Sequence, residues 1–138
     1  MRYFDASALA KRYVREKGSL KVRRLLSVDV PATSRLSSVE IVSALIRRSR
    51  EGAISEAQRE RALAMVEADL AAMLVIELTP AIVGRAHALL RRHTLRAGDA
   101  IQLASCLYLQ DAIDDEMTFV AFDRRLVDAA RAERLRVE

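Results

Sequence analysis

The stretch MRYFDASALA, residues 1–10, changes character at one aspartate. Arg2, Tyr3 and Phe4 read as a short strand, because aromatic side chains suit a pleated, half-buried surface. From Ser7 to Lys11 the chain reads as the start of a helix. Asp5 stands at the junction, where open α/β sheets present their ligands and reacting groups. Aspartate is equally a preferred helix cap. A strand feeding a helix is the unit of a parallel sheet, so the question is whether that unit recurs.

It recurs along the whole chain. VPATS at 30–34 reads as a short strand, and MLVIEL at 73–78 is a β-branched apolar run too short for a helix. TFVAF at 118–122 is a further strand, followed by Asp123 and a helix to about Ala132. RLRVE at 134–138 reads as a last edge strand. Between them, 7–16 and 19–28 read as helices parted at Gly18. A third helix runs from Ser37 or Ser38 to Arg50, with Val39, Val42 and Ile46 at helical spacing and Gly52 as its left-handed stop. Ser55 caps a fourth helix to about Ala72. Thr79-Pro80 opens a fifth, with proline suited to the first turn, and it ends near His93. AGDAIQLASCLYLQ at 97–110 is an apolar helix expected to be buried. Strands separated by helices imply parallel pairing and an α/β fold, a three-layer α/β/α sandwich on a short, mainly parallel sheet. No repeat or linker interrupts it, so 1–138 is expected to be one domain.

Composition agrees. Residues that are 51% hydrophobic, with two prolines and four glycines, suit one ordinary core. The single cysteine, Cys106, excludes an internal disulfide and fits a reducing, cytoplasmic setting; inside IQLASCLYL it reads as a buried, inert thiol. No leader opens the chain and no apolar run approaches the roughly 18 residues of a membrane span, so a soluble protein is expected. The net charge is +4, carried almost entirely by arginine, with lysine only at Lys11, Lys17 and Lys21. Arginine forks match phosphate geometry and point toward a polyanionic partner.

Asp123 repeats the opening puzzle, because it too ends a strand and begins a helix. Parallel strands share a direction, so Asp5 and Asp123 belong at one carboxyl edge. Glu40 falls in the first turn of its helix, with Ala44 and Arg47 on its own face. Asp99 shares a face with Leu103 and Cys106, and a carboxylate aimed at apolar surroundings is costly unless something compensates it. The competing reading of each acid is a cap or a first-turn charge favoured by the helix dipole. Together, four clustered carboxylates would hold their protons unless cations neutralise them. Hard ions such as Mg²⁺ or Mn²⁺ do so, taking one or two carboxylates plus waters and substrate phosphates. An acidic pocket in a basic protein then fits a nuclease that activates water on a metal.

These residues resemble the PIN-domain family and, more closely, its bacterial VapC-like toxins, the ribonuclease halves of type II toxin–antitoxin pairs. YFDASALAKRYVRE is similar to the family's opening Asp-x-Ser-Ala-Leu segment, and TSRLSSVEIVSALIRR to its second motif, centred on the glutamate. LRAGDAIQLAS resembles the third and FVAFDRRLVDAA the fourth, all in order. The resemblance implies Asp5, Glu40, Asp99 and Asp123 as metal-site acids, with Asp5 and Asp99 the direct contacts and Ser7 a supporting hydroxyl. It implies an endoribonuclease acting on RNA, a homodimer, and a cognate antitoxin whose tail covers the acidic groove. Two positions depart from the pattern: Ala121 stands where serine or threonine is common, and Gly98 replaces an apolar residue, which is expected to loosen the turn before Asp99.

Other readings fit less well. A phosphoryl-acceptor domain wants adjacent acids after its first strand and a late lysine, and an Asp-x-Asp phosphatase fails because Ser7 holds the second position. A non-catalytic module that binds RNA or sequesters antitoxin stays open on sequence. His87 and His93 lack partners at zinc-ligand spacing; beside Arg85, Arg91, Arg92 and Arg96 they belong to a solvated or RNA-facing surface. Arg124 or Arg125 is placed to reach a phosphate at the mouth of the site. No aromatic–basic interleaving for base stacking is visible. VRRLLSV and the 55–72 helix carry faces that suit either the core or a partner.

Overall fold

A computed structural model describes residues 1–138. The chain runs β1 (Arg2–Phe4), α1 (Ala6–Ala10), α2 (Ser19–Leu26), β2 (Pro31–Ser34), α3 (Arg35–Arg50), α4 (Glu56–Ala72) and β3 (Leu74–Ile76). It continues through α5 (Pro80–Arg92), α6 (Ala97–Ile113), β4 (Thr118–Val120), α7 (Arg124–Ala132) and β5 (Arg136–Val137). The sheet order is β3-β2-β1-β4-β5, and every pairing is parallel, not merely most of them.

Alternation along the strands sorts the core into two halves. Tyr3 and Phe119 face one side with Leu89, Leu103 and Leu126 from α5, α6 and α7. Their neighbours Phe4 and Val120 face the other, against Leu9, Val22, Ile41, Leu45 and Val66 from α1 to α4. The result is the expected three-layer sandwich. No helix is long and apolar enough to cross a membrane.

The strand order places the site. From β1 the chain steps outward to β2 and β3, then crosses back through α5 and α6 to lay β4 on the other side of β1. A crevice forms where the winding reverses, at the carboxyl ends of the two central strands. Asp5 follows β1 and Asp123 follows β4, so both acids flank that switch point.

Local chemistry explains several boundaries. Ser55 and Gln58 form a reciprocal capping box on α4, and Thr79 with Pro80 starts α5. α3 begins at Arg35, earlier than the sequence reading, because Ser34 Oγ accepts the Leu36 N–H, and Glu40 therefore lies in the second turn and not the first. Its buried face is Ser37, Ile41 and Leu45. Val39 and Val42 are exposed instead, at 67% and 37%; two apolar stripes compete on this helix, and the sheet takes the β-facing one. α1 stops at Ala10 rather than running to residue 16. There Arg12 and Tyr13 turn toward α4, where Arg12 Nε and Tyr13 Oη donate to Asp69 Oδ2 at 2.6 and 2.9 Å. Gly18 adopts φ +94°, and a Cβ on it would sit 2.8 Å from the Phe122 ring. That close approach packs the segment before Asp123 against the α1–α2 turn.

Candidate active site

Asp5 is both a cap and part of a charged cluster. Its Oδ1 accepts the Ala8 N–H at 2.8 Å and its Oδ2 accepts the Ser7 hydroxyl at 2.8 Å. Its own N–H donates to the Val120 carbonyl at 3.2 Å, tying the end of β1 to β4. The residue is only 3% exposed. Burial lifts its pKa from 3.8 to about 6; the Ala8 and Ser7 hydrogen bonds oppose this, and the charges of Asp99 and Glu40 reinforce it.

The other acids join in a chain of mutual repulsion. Burial, then Asp99, raises the Glu40 pKa, while the Gln102 amide facing it pulls the other way. Asp99, in the first turn of α6, is raised by burial and then by Asp123, with Arg96 opposing. Asp123 is exposed and caps α7, its Oδ1 accepting the Leu126 N–H at 3.0 Å. Asp5, Glu40 and Asp99 thus sense one another, and Asp123 joins through Asp99. Ser7 stands beside Asp5 at the surface. No three of the side chains converge into a closed cation cage. The donor set is nevertheless all hard carboxylate oxygen, the kind that holds a magnesium-like ion with one or two carboxylates and completes its shell from water and substrate. Carboxylates that push one another's pKa upward when alone are what such an ion relieves.

Below the acids lies a buried polar network that the sequence reading missed. Gln102 is 1% exposed. Its Oε1 accepts the Tyr3 hydroxyl at 2.8 Å and its Nε2 donates to Ser37 Oγ at 3.0 Å. Ser37 and Thr33 share a 2.6 Å hydrogen bond, and Thr33 donates to the Phe4 carbonyl. These contacts lock β1, β2, α3 and α6 together beneath Glu40. The signal was present in the chain: an amide three residues after Asp99, inside an otherwise apolar helix.

Gly98 has a different role from the one expected. It is helical within α6 and loosens no turn; only Gly18 and Gly52 among the glycines have positive φ. A Cβ at Gly98 would lie 2.5 Å from Glu40 Oε1. The missing side chain is the space that the Glu40 carboxylate occupies. Ala121 is buried and carries no hydroxyl toward Asp123.

A cleft of about 570 Å³ opens at Glu40, with Ser7, Ala44 and Glu16 also on its wall and Arg47, Arg48 and Arg96 lining it. Glu40, Ala44 and Arg47 share the helix face that their spacing implied. Arg124 and Arg125 are exposed beside Asp123, without a carboxylate partner. The histidines stand apart from the acids: His93 Nε2 meets Glu133 Oε1 at 2.7 Å, closing α5 onto α7, and His87 is exposed. Cys106 is buried, and burial pushes its thiol pKa well up, which keeps it inert. Val22 and Leu25 of α2 and Ala62 and Val66 of α4 face the core.

The PIN-domain family model matches residues 2–132. Ribonuclease VapC45 of Mycobacterium tuberculosis is 37% identical over 137 residues, covering 98% of this chain and 92% of its own. Among solved structures, the sarcin–ricin-loop-cleaving toxin VapC20 of Mycobacterium tuberculosis superposes with a TM-score of 0.71 at 20% identity, over 94% of this chain and 95% of its own. A toxin–antitoxin complex from Klebsiella pneumoniae gives a TM-score of 0.59 at 17% identity, over 86% and 84%. By the extent of the family match and the identity to VapC45, the chain belongs to the PIN-domain family, within its VapC ribonuclease group.

Proposed function

We propose that the chain is an endoribonuclease and the toxin of a toxin–antitoxin pair, working as one domain and hydrolysing RNA phosphodiester bonds with Mg²⁺ or Mn²⁺. The observation that carries this reading is the set of mutually repelling carboxylates at the switch point of the sheet, in a family whose relatives are ribonucleases. Asp5 and Asp99 would hold the cation directly, with Glu40 and Asp123 completing the charge around it. When bound, the cation supplies positive charge at the reacting phosphoryl group and lowers the pKa of water.

The chain's own groups do the rest. Ala8 N–H and the Ser7 hydroxyl hold Asp5 in one orientation, and the Tyr3–Gln102–Ser37 network supports the helix faces that carry Glu40 and Asp99. Arg96 and Arg47, lining the cleft, draw the phosphate backbone toward the acids. A cognate antitoxin is the natural cytoplasmic partner, given the toxin–antitoxin complex among the structural relatives, and a homodimer is the expected assembly.

The test is to incubate the purified chain, stripped of partner, with total RNA in Mg²⁺, Mn²⁺ or EDTA. Discrete fragments that appear only with metal are expected. RNA left intact in every lane, yet still bound, would replace this reading with a non-catalytic binding module.

Gly98→Ala gives a sharper check on the site. Alanine favours the helix by about 1 kcal/mol over glycine, and the group it displaces is the end of a flexible side chain. Thermal stability should therefore hold or rise. Cleavage should fall about 10- to 100-fold, because a shift of about 1 Å in a positioned group has that effect. Full activity in Gly98→Ala would remove the placement of Glu40 from the mechanism.

A further inference from the structure

Folding gathers five arginines into a second cleft that the proposed chemistry does not use. This cleft, of about 500 Å³, lies between the α1–α2 turn, the end of α3 and α4. Arg12, Arg15, Arg23, Arg48 and Arg61 line it, and no carboxylate does. Two of the five are anchored from outside: Arg12 by Asp69, and Arg48 by Glu16. Arg15, Arg23 and Arg61 are exposed and meet no carboxylate anywhere in the molecule. Like charges crowded on a concave wall repel and focus a positive potential there, which an anion relieves.

The position of this cleft identifies the anion. It shares Arg48 and Val14 with the cleft that holds Ser7 and Glu40. The two therefore form one track, from Glu40 past Arg96, Arg47 and the Arg48–Glu16 pair to Arg15 and Arg61. A strand that presents a phosphate to the acids must carry its flanking phosphates along some adjoining wall. This wall adjoins, is free of acids, and offers planar guanidinium forks that match phosphate oxygens. The one aromatic on the wall, Tyr13, spends its hydroxyl on Asp69. Contacts to backbone phosphates, rather than reading of bases, are what the cleft can supply.

We infer that the arginine cleft between the α1–α2 turn, α3 and α4 is a phosphate-binding subsite for the RNA strand flanking the scissile bond, with Arg15 and Arg61 as its free contact groups. The inference rests on the ribonuclease reading above and deepens it. Arg15 and Arg61 are exposed and make no side-chain hydrogen bond or ion pair, so their removal is expected to leave the fold and the acids in place.

The test is the salt dependence of binding. Fluorescence anisotropy of a labelled single-stranded RNA is followed in EDTA across a KCl series, for wild type, Arg15→Ala/Arg61→Ala, Arg15→Lys/Arg61→Lys and Arg91→Ala. Each lost phosphate contact lowers the log–log slope by about 0.7, so the double alanine variant should lose about 1.4, or about 25-fold in affinity at 0.1 M salt with equal affinity at 1 M. The lysine pair should keep most of the slope. Arg91→Ala, on the exposed face of α5, should keep all of it. In cleavage, KM should rise for the double alanine variant with kcat unchanged. A double alanine variant with the wild-type slope overturns the subsite while leaving the nuclease standing. An unchanged RNA slope with loss of binding to an oligoglutamate peptide overturns it in favour of an acidic protein partner. Wild-type protein that neither binds nor cleaves RNA defeats both readings together.

Discussion

Asp5→Asn and Asp99→Asn are each expected to abolish metal-dependent RNA cleavage, and Asp5→Asn is expected to make the metal-free protein more stable at neutral pH. An electrostatic contribution of several kcal/mol at the phosphoryl group corresponds to roughly a thousand-fold or more in rate. Stability moves the other way because Asp5 is buried among like charges, with its pKa raised from 3.8 to about 6. Between those two values the folded state keeps a proton that the unfolded state has lost. The protonated Asp5 therefore favours folding fully below the unfolded pKa, and that benefit disappears as pH rises through about 6. Well above it, the ionised group costs up to about 3 kcal/mol, from a shift of about two units. Asparagine removes this charge, and its carbonyl oxygen still accepts the Ala8 N–H.

Urea unfolding in EDTA from pH 5 to 8 reads this directly. Wild-type stability should fall across the range, and Asp5→Asn should flatten the fall and be the more stable protein at pH 8. Mn²⁺ should then raise the wild-type Tm and leave Asp5→Asn unmoved. A variant less stable than wild type at pH 8 would mean that the cap and the Ser7 hydrogen bond outweigh the buried charge.

Phe119→Ala is expected to cost the largest share of stability of any single core truncation, about 3–5 kcal/mol. Phe119 is fully buried in β4, an interior strand of the sheet, and pairs in register with Tyr3 on the central strand β1. Their rings stack with centroids 5.7 Å apart and 13° between planes. Against a typical total of about 5–15 kcal/mol, that loss leaves a marginal protein. The ring also backs Tyr3, whose hydroxyl holds Gln102, so the damage reaches the support of the acids. Chemical denaturation should show a lower midpoint with an unchanged m-value, and Phe119→Leu should recover most of the loss. A cost near 1 kcal/mol would mean that α6 and α7 collapse into the space.

Much of this was legible in the chain. Asp5 and Asp123 announce themselves as acids that end one kind of periodicity and begin another, and the parallel sheet follows from alternation alone. Ser55, Thr79-Pro80 and Gly52 carry their helix signals within a few residues, so those boundaries were readable. The end of α1 was not, because a side-chain contact with Asp69, far along the chain, decides it. Nor was the face of α3: Val39 and Ile41 are equally apolar, and only the sheet chooses between them.

The sequence by itself determined the alternating elements, the direction of the strands and the two acids, Asp5 and Asp123, that follow them, because each depends on neighbours a turn or a strand away. Only the tertiary structure decided what surrounds those acids. Gln102 under Glu40, Gly98 as vacant space for a carboxylate, and five arginines on one cleft wall join residues from separate helices and strands. Such neighbours are set by how helices pack on the sheet, and no periodicity along the chain records that distance.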